Sequence, residues 1–232
     1  MDFAQSGKLK AVTFSYDDGI TQDVRLVELL NQYGLKCTFN INSGQFGRSL
    51  IIKRKGQRIS HYRLQESEIK GLYEGHEIAA HCLTHPHLTQ LEDAEVIRQV
   101  EQDRLKLSEL AGYEVVGMAY PYGDFDDRVV DLLQNHTGIK YSRTVRTTRD
   151  FAPENDLLRW NTTIFHLNFD ELMDLGRKFV ELETDTPQVF SIWGHSYEMD
   201  SASENWMRLE EFFRLISNRE DIFYGTNKEV LL

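Results

Sequence analysis

Asp17 and Asp18 stand side by side at the end of a strand-forming run, in "AVTFSYDDGITQD". Adjacent carboxylates repel, so the pair asks for a reason. Farther along, His81 and His85 are spaced four apart in "HCLTHPH", and His195 lies in "WGHSYE". Two histidines at that spacing can grip one metal ion from a helix or a compact loop. Taken singly, each feature has a plainer reading. Asp-Asp-Gly also makes a turn with a helix N-cap, a histidine pair is often solvated, and one histidine is often a packed core residue. Together they divide a task. One carboxylate can ligate a cation while its neighbour takes a proton, and the cation relieves their repulsion. Two neutral nitrogens and one carboxylate oxygen leave positions open for water and substrate, as a catalytic zinc site requires.

These residues need elements that bring them to one place. Short β-like runs alternate with helix-like segments along the whole chain. Residues 9–16, 35–42, 76–82, 114–123, 139–145, 157–165 and 188–196 read as strands, and "DIFYGTN" closes the chain as a last short one. Between them, "TQDVRLVELLNQYG" reads as a helix with Val24, Val27 and Leu30 on one face and Gly34 as its stop. The longest helix is expected over 89–112, with Thr89 and Glu92 as a capping box and Gly112 as its end. Such alternation predicts an α/β fold with a parallel sheet covered by helices. Seven to eight parallel strands in one domain, residues 1–232, suggest a distorted or incomplete (β/α) barrel, with an open doubly wound sheet as the alternative.

In a parallel barrel, reactive groups gather at the C-terminal ends of the strands. Those ends hold Asp17 and Asp18, then His81, His85 and His87, then "YPYGD" with Tyr122, "YSRTVR" with Arg143 and Arg146, and finally His195. Residues 43–65 break the pattern. They are rich in basic residues, contain three glycines, and are long for a βα loop. A solvated insertion is the plain expectation; a loop that borders the active face and touches substrate is the sharper one.

Bulk properties narrow the field. The chain has 232 residues and a formal net charge of −11. That balance disfavours a general phosphate-binding surface and nucleic acid as a partner, without excluding a small basic pocket. Cys37 and Cys82 are expected as buried free thiols. No apolar run approaches the length of a signal peptide or a membrane span, so a cytoplasmic protein without membrane insertion is expected.

The motifs and their order resemble the polysaccharide deacetylases of the NodB-homology type, carbohydrate esterase family 4. "TFSYDDG" (13–19) resembles the family's first motif, "HCLTHP" (81–86) the second, "AYPYG" (119–123) the third and "WGHSYE" (193–198) the last. The resemblance implies that Asp18, His81 and His85 hold one divalent ion, with zinc as the default and cobalt or nickel as alternatives. It implies Asp17 as the base that deprotonates the attacking water, the backbone N–H of Tyr122 as an oxyanion donor, and His195 as the acid for the departing amine. Amide hydrolysis needs all three.

Two departures stand out. The family's third motif begins with an arginine that orients the base, and here the position is Ala119. Arg143 is the first candidate to replace it, and Arg146 the second. The family's fourth motif is matched only loosely, by Asp156, Arg159 and Trp160. The expected reaction is removal of N-acetyl from an amino-sugar-containing substrate. The alternatives are hydrolysis of a formyl or other small amide, and a catalytically weak carbohydrate-binding relative.

Overall fold

The structure, a computed structural model, describes Phe3, residues 6–54 and residues 56–232. Met1, Asp2, Ala4, Gln5 and Lys55, which the expected domain over 1–232 also takes in, lie outside the described residues.

The strands are β1 (Lys10–Asp17), β2 (Cys37–Ile41), β3 (Ser49–Arg54), β4 (Gln57–Tyr62), β5 (Glu77–Ala80), β6 (Gly117–Ala119), β7 (Tyr141–Thr147), β8 (Trp160–Thr162), β9 (Ile164–Phe165), β10 (Gln188–Gly194) and β11 (Ile222–Tyr224). The helices are α1 (Asp23–Gln32), α2 (Glu66–Leu72), α3 (Asp93–Ala111), α4 (Asp127–His136), α5 (Phe169–Glu181), α6 (Asn205–Ile216) and α7 (Asn227–Leu231). Nine strands form one parallel sheet, in the order β8-β7-β6-β5-β2-β1-β10-β9, with β11 paired to the start of β1. The two ends of this path, β8 and β9, are separated in sequence by Thr163 alone. The sheet therefore curls back on itself as a distorted barrel, without a ladder between β8 and β9.

Strand β1 is the centre of this arrangement. It pairs with β2 and β10, and all eight of its residues are buried. A strand covered on both faces tolerates a continuous apolar and β-branched run, which explains "KAVTFSY". Helix α1 buries Leu26, Val27 and Leu30 against the sheet, while Val24, expected on the same face, is exposed. Helix α3 begins at Asp93. Thr89 is not its cap: it sits in a preceding 3-10 turn and binds the Asp124 carboxylate through its N–H and hydroxyl, at 3.0 and 2.9 Å. Gly112 does end α3, in the left-handed conformation at φ +79°. The strand expected over 114–123 shortens to three residues, because Pro121 lacks an N–H and turns the chain. Cys37 and Cys82 are free and buried.

The basic stretch 43–65 is folded. β3 and β4 form an antiparallel hairpin whose register pairs Arg54 with Gln57, and Gly56 before the return strand has φ +81°. Ile20 bridges to Arg63 and Thr21 N–H donates to the Tyr62 carbonyl at 2.8 Å, so the hairpin's return strand is tied to the loop after β1.

Candidate active site

The C-terminal ends of the parallel strands open into a cavity of about 780 Å3. Asp17, Asp18, His81, His85, Tyr122 and His195 all line it. Asp17 is the last residue of β1, and Asp18 follows in the left-handed region at φ +89°. That turn is costly for a residue with a Cβ and persists only where the surroundings hold it. It sends the two carboxylates to different partners, which is how adjacent acids coexist.

Asp17 faces the sheet interior. Its Oδ2 is ion-paired with Arg143 Nη2, and its Oδ1 accepts from Asn40 Nδ2 at 2.8 Å. Arg143, from β7, is fully buried. Its Nε donates to Ser15 Oγ at 3.1 Å, and its guanidinium lies 4.7 Å from the Trp193 ring centre. Asp17 thus has an arginine partner, from β7, although Ala119 stands where the resembled motif carries arginine. Arg146, the other candidate, is exposed and stacks over Phe125. Burial would raise the Asp17 pKa, but Arg143, His81 and His195 together hold it below the usual carboxylate value.

Asp18, His81 and His85 offer three donor atoms within 4.8 Å of one another. His81 and His85 come from the compact loop after β5, which bends through left-handed Cys82 and His85 at φ +61° and +59°. Asn42 donates to the carbonyls of His81 and Cys82, and Asp103 accepts the His81 N–H at 2.9 Å, which fixes the bend. The His81 Nδ1–H donates to the Ala119 carbonyl at 2.7 Å, so its Nε2 lone pair is free to ligate. Burial keeps His81 neutral and, with His81 alongside, lowers His85 to about 3. Asp18 Oδ1 is buried and accepts no hydrogen bond among the described residues. Two neutral imidazoles and a buried carboxylate oxygen fit a divalent cation.

Two further residues grip Asp18, and both come from the hairpin side. His61 Nε2 lies 3.0 Å from Oδ2; Arg63 Nη1 lies 3.0 Å from Oδ1 and donates to the Asp18 carbonyl. Burial opposes ionisation of Asp18, but His61 and Arg63 hold its pKa well below the usual range. The sharper expectation for 43–65, a loop beside the active face, describes where these residues sit.

His195 follows β10, with Nε2 3.8 Å from Asp17 Oδ2 and Nδ1 3.3 Å from Glu198 Oε2. Glu198 is buried, 2.7 Å from His166 Nε2 and ion-paired with Arg54 of the hairpin. Burial works against a charged His195, yet Glu198, Asp18 and Asp17 outweigh it and raise its pKa to about 9. His166 in turn approaches so closely that a Cβ at Gly194 would meet its ring at 2.4 Å, which accounts for the glycine there. Glu198, His166, Arg54, His61 and Arg63 were not singled out from sequence. Glu198 had a signal, an acid three residues after His195 in "WGHSYE".

Tyr122 occupies a left-handed turn at φ +59°, and its exposed ring stacks on His87 at 4.0 Å. Asp156 and Arg159 pair with each other at 2.7 Å and Trp160 is buried in β8, paired with Arg143 of β7; none of the three lines the cavity. Trp193 does.

Residues 4–141 match the family model described as polysaccharide deacetylase. Over 122 residues the chain is 25% identical to a peptidoglycan-N-acetylmuramic acid deacetylase of Bacillus subtilis, covering 52% of this chain and 23% of that one. The matched stretch is thus less than a quarter of that relative's length. Among solved structures, the carbohydrate esterase domain of a xylanase from the hindgut metagenome of Trinervitermes trinervoides superposes with a TM-score of 0.59, at 16% identity over 95% of this chain and 89% of that one. A pseudoenzyme of carbohydrate esterase family 4 from Bacillus anthracis superposes with a TM-score of 0.55, at 15% identity over 96% and 66%. At these identities the structures share a fold and nothing finer. The family model covers more than half of the residues, and the chain belongs to the polysaccharide deacetylase family.

Proposed function

We propose that this protein is a metal-dependent hydrolase that removes an N-acetyl group from an amino-sugar-containing substrate. The observation that carries the reading is the junction of three candidate ligand atoms with the Asp17 carboxylate on one side and the His195 imidazole on the other. Asp18, His81 and His85 would hold one divalent ion, with zinc favoured by the nitrogen and carboxylate donors. When bound, that ion supplies Lewis acidity and makes water a competent nucleophile near neutral pH.

The chain's own residues do the rest. Asp17 stays ionised beside Arg143 and accepts the proton of the attacking water. The Tyr122 backbone N–H is the donor proposed for the developing oxyanion. His195, whose pKa Glu198 helps to raise and which lies 3.3 Å from that carboxylate, gives its proton to the departing amine. Amines leave poorly as anions, so this proton is essential for an amide and much less so for an ester. Trp193 and the apolar edge of the hairpin limit water around the acyl group.

The test is a turnover assay on N-acetylated and N-formylated amino sugars, with acetate and formate measured separately. Acetate release that stops on chelation and returns with zinc supports the reading. Formate release alone would assign a different acyl group. No release of either, with sugar binding retained, would make the chain a binding relative and sink the hydrolase reading.

A further inference from the structure

Residues 43–65 contain six of the chain's 26 basic residues, and all 37 of its acidic residues lie outside them. The site already described uses two of the six: Arg54 pairs with Glu198, and Arg63 with Asp18. Arg48, Lys53 and Arg58 have no carboxylate partner among the described residues, and all three are exposed. Arg48 lines the mouth of the cavity. Lys53 and Arg58 stand directly opposite each other across the hairpin. Like charges in that position destabilise a strand pair. Among the described residues no carboxylate offsets that cost, and an anion lying across the strands would.

The hairpin also separates its two faces. Leu50 and Ile52 line the cavity, and Arg54 on the same face reaches Glu198. Lys53 alternates to the opposite face. Cations thus run from the cavity mouth, at Arg48, onto the outer face of the wall that bounds it. A net charge of −11 disfavours polyanions over the chain as a whole, so this strip would select where one can lie.

We propose that the β3–β4 hairpin is a binding rim for an acidic glycan, one whose sugar units bear carboxylate or phosphate groups. The inference rests on the hydrolase reading for the part of the glycan that enters the cavity, and the rim itself stands on charge and placement. Arg48 would meet an anionic group close to the acylated sugar. Lys53 and Arg58 would meet groups on neighbouring units.

The experiment is calorimetric titration of the full chain, with acetate release followed in parallel. The probes are a heparosan hexasaccharide for carboxylate, N-acetylglucosamine 6-phosphate for phosphate, neutral chitohexaose, and a twenty-residue oligo-dT. The heparosan fragment or the phosphate sugar should bind more tightly than the neutral probe, and that preference should shrink as salt rises from low to physiological strength. The probe that gains identifies the anion. Arg48→Ala should weaken binding of the favoured probe about two- to fivefold, the scale of one exposed ion pair. The triple variant Arg48→Ala, Lys53→Ala, Arg58→Ala should weaken it more and leave chitohexaose binding unchanged. All three side chains are exposed, so the fold should survive, and the melting temperature checks this.

Equal binding of neutral and acidic probes, or a triple variant indistinguishable from wild type, overturns the proposal. Oligo-dT binding as tightly as the acidic glycan also overturns it, because the rim would then be a general polyanion surface. Failure of the hydrolase reading is separately visible: no acetate is released from any glycan, while the titrations still decide whether the rim takes acidic sugars.

Discussion

The rim of parallel strands and the β3–β4 hairpin contribute to the same cavity in different ways. The rim carries the groups proposed to do the chemistry: Asp17 at the end of β1 and Asp18 after it, His81 and His85 after β5, His195 after β10. The hairpin side carries groups that hold them: His61 and Arg63 on Asp18, and Arg54 on Glu198, which holds His195. A rim residue is positioned by a buried backbone on both sides and by a strained turn, as at Asp18 and His85. A hairpin residue reaches in from a two-stranded element with an exposed outer edge. Losing a rim group should therefore remove a step, and losing a hairpin group should loosen one.

The largest effect is expected at Asp17. Asp17→Asn removes the proposed base and should lower turnover by roughly 10²–10⁴ while metal content stays normal. Retained turnover would move the base elsewhere. His195→Ala should lose a similar factor on amides and much less on an aryl ester analogue. Equal losses on both would make His195 a substrate-positioning group.

Arg143→Ala tests the deepest part of the rim. It leaves Asp17 buried without its partner, which for a buried ion pair costs on the order of 3–5 kcal/mol. Denaturant unfolding should show that loss. With the guanidinium gone the Asp17 pKa rises, so the acidic limb of the pH–rate profile should move up. A variant that is unstable yet keeps the limb in place would make Arg143 structural only.

A titration sharpens the comparison through Glu198, which the hairpin's Arg54 holds. The folded pKa of His195, about 9, lies above its ordinary value of about 6.5. Its charged form therefore adds stability that is fully present below about pH 6.5 and is lost as pH rises through about 9. Glu198→Gln should lower the His195 pKa, measured by imidazole NMR in the metal-free protein. An unmoved resonance would detach Glu198 from the acid.

The smallest effect is expected on the hairpin. His61→Ala removes a partner of a ligand without removing a ligand, a change that typically weakens metal affinity 10- to 100-fold. Competition with a chelator measures it. Complete loss of metal would place His61 among the groups on which binding depends outright, and the contrast between rim and hairpin would fail.

What the sequence made legible divides along the same line. The rim could be read because strand ends follow from alternation, and Asp17-Asp18, His81/His85 and His195 each sit at such an end. Arg143 could be proposed because it lies in a strand-like run whose end is expected on the same rim; the structure places it within β7, where it reaches Asp17 from the sheet interior. For 43–65 the sequence leaves two readings open, a solvated insertion and a loop beside the active face, and it names none of the hairpin-side residues that reach the site. A glycine-containing basic stretch has the composition of a solvated loop, and the contact that changes its meaning, His61 to Asp18, spans 43 residues. Thr89 misled for a related reason. Its hydroxyl satisfied the local capping pattern, but a carboxylate 35 residues away, Asp124, took it instead.

Metal stoichiometry tests the central claim most directly. Elemental analysis of the purified chain and of its Asp17→Asn and His81→Ala variants, each after equilibration with zinc, gives the answer. One ion per chain in the wild type and in Asp17→Asn, and none in His81→Ala, is the predicted result. Full occupancy in His81→Ala would contradict the assignment of Asp18, His81 and His85 as the ligand set.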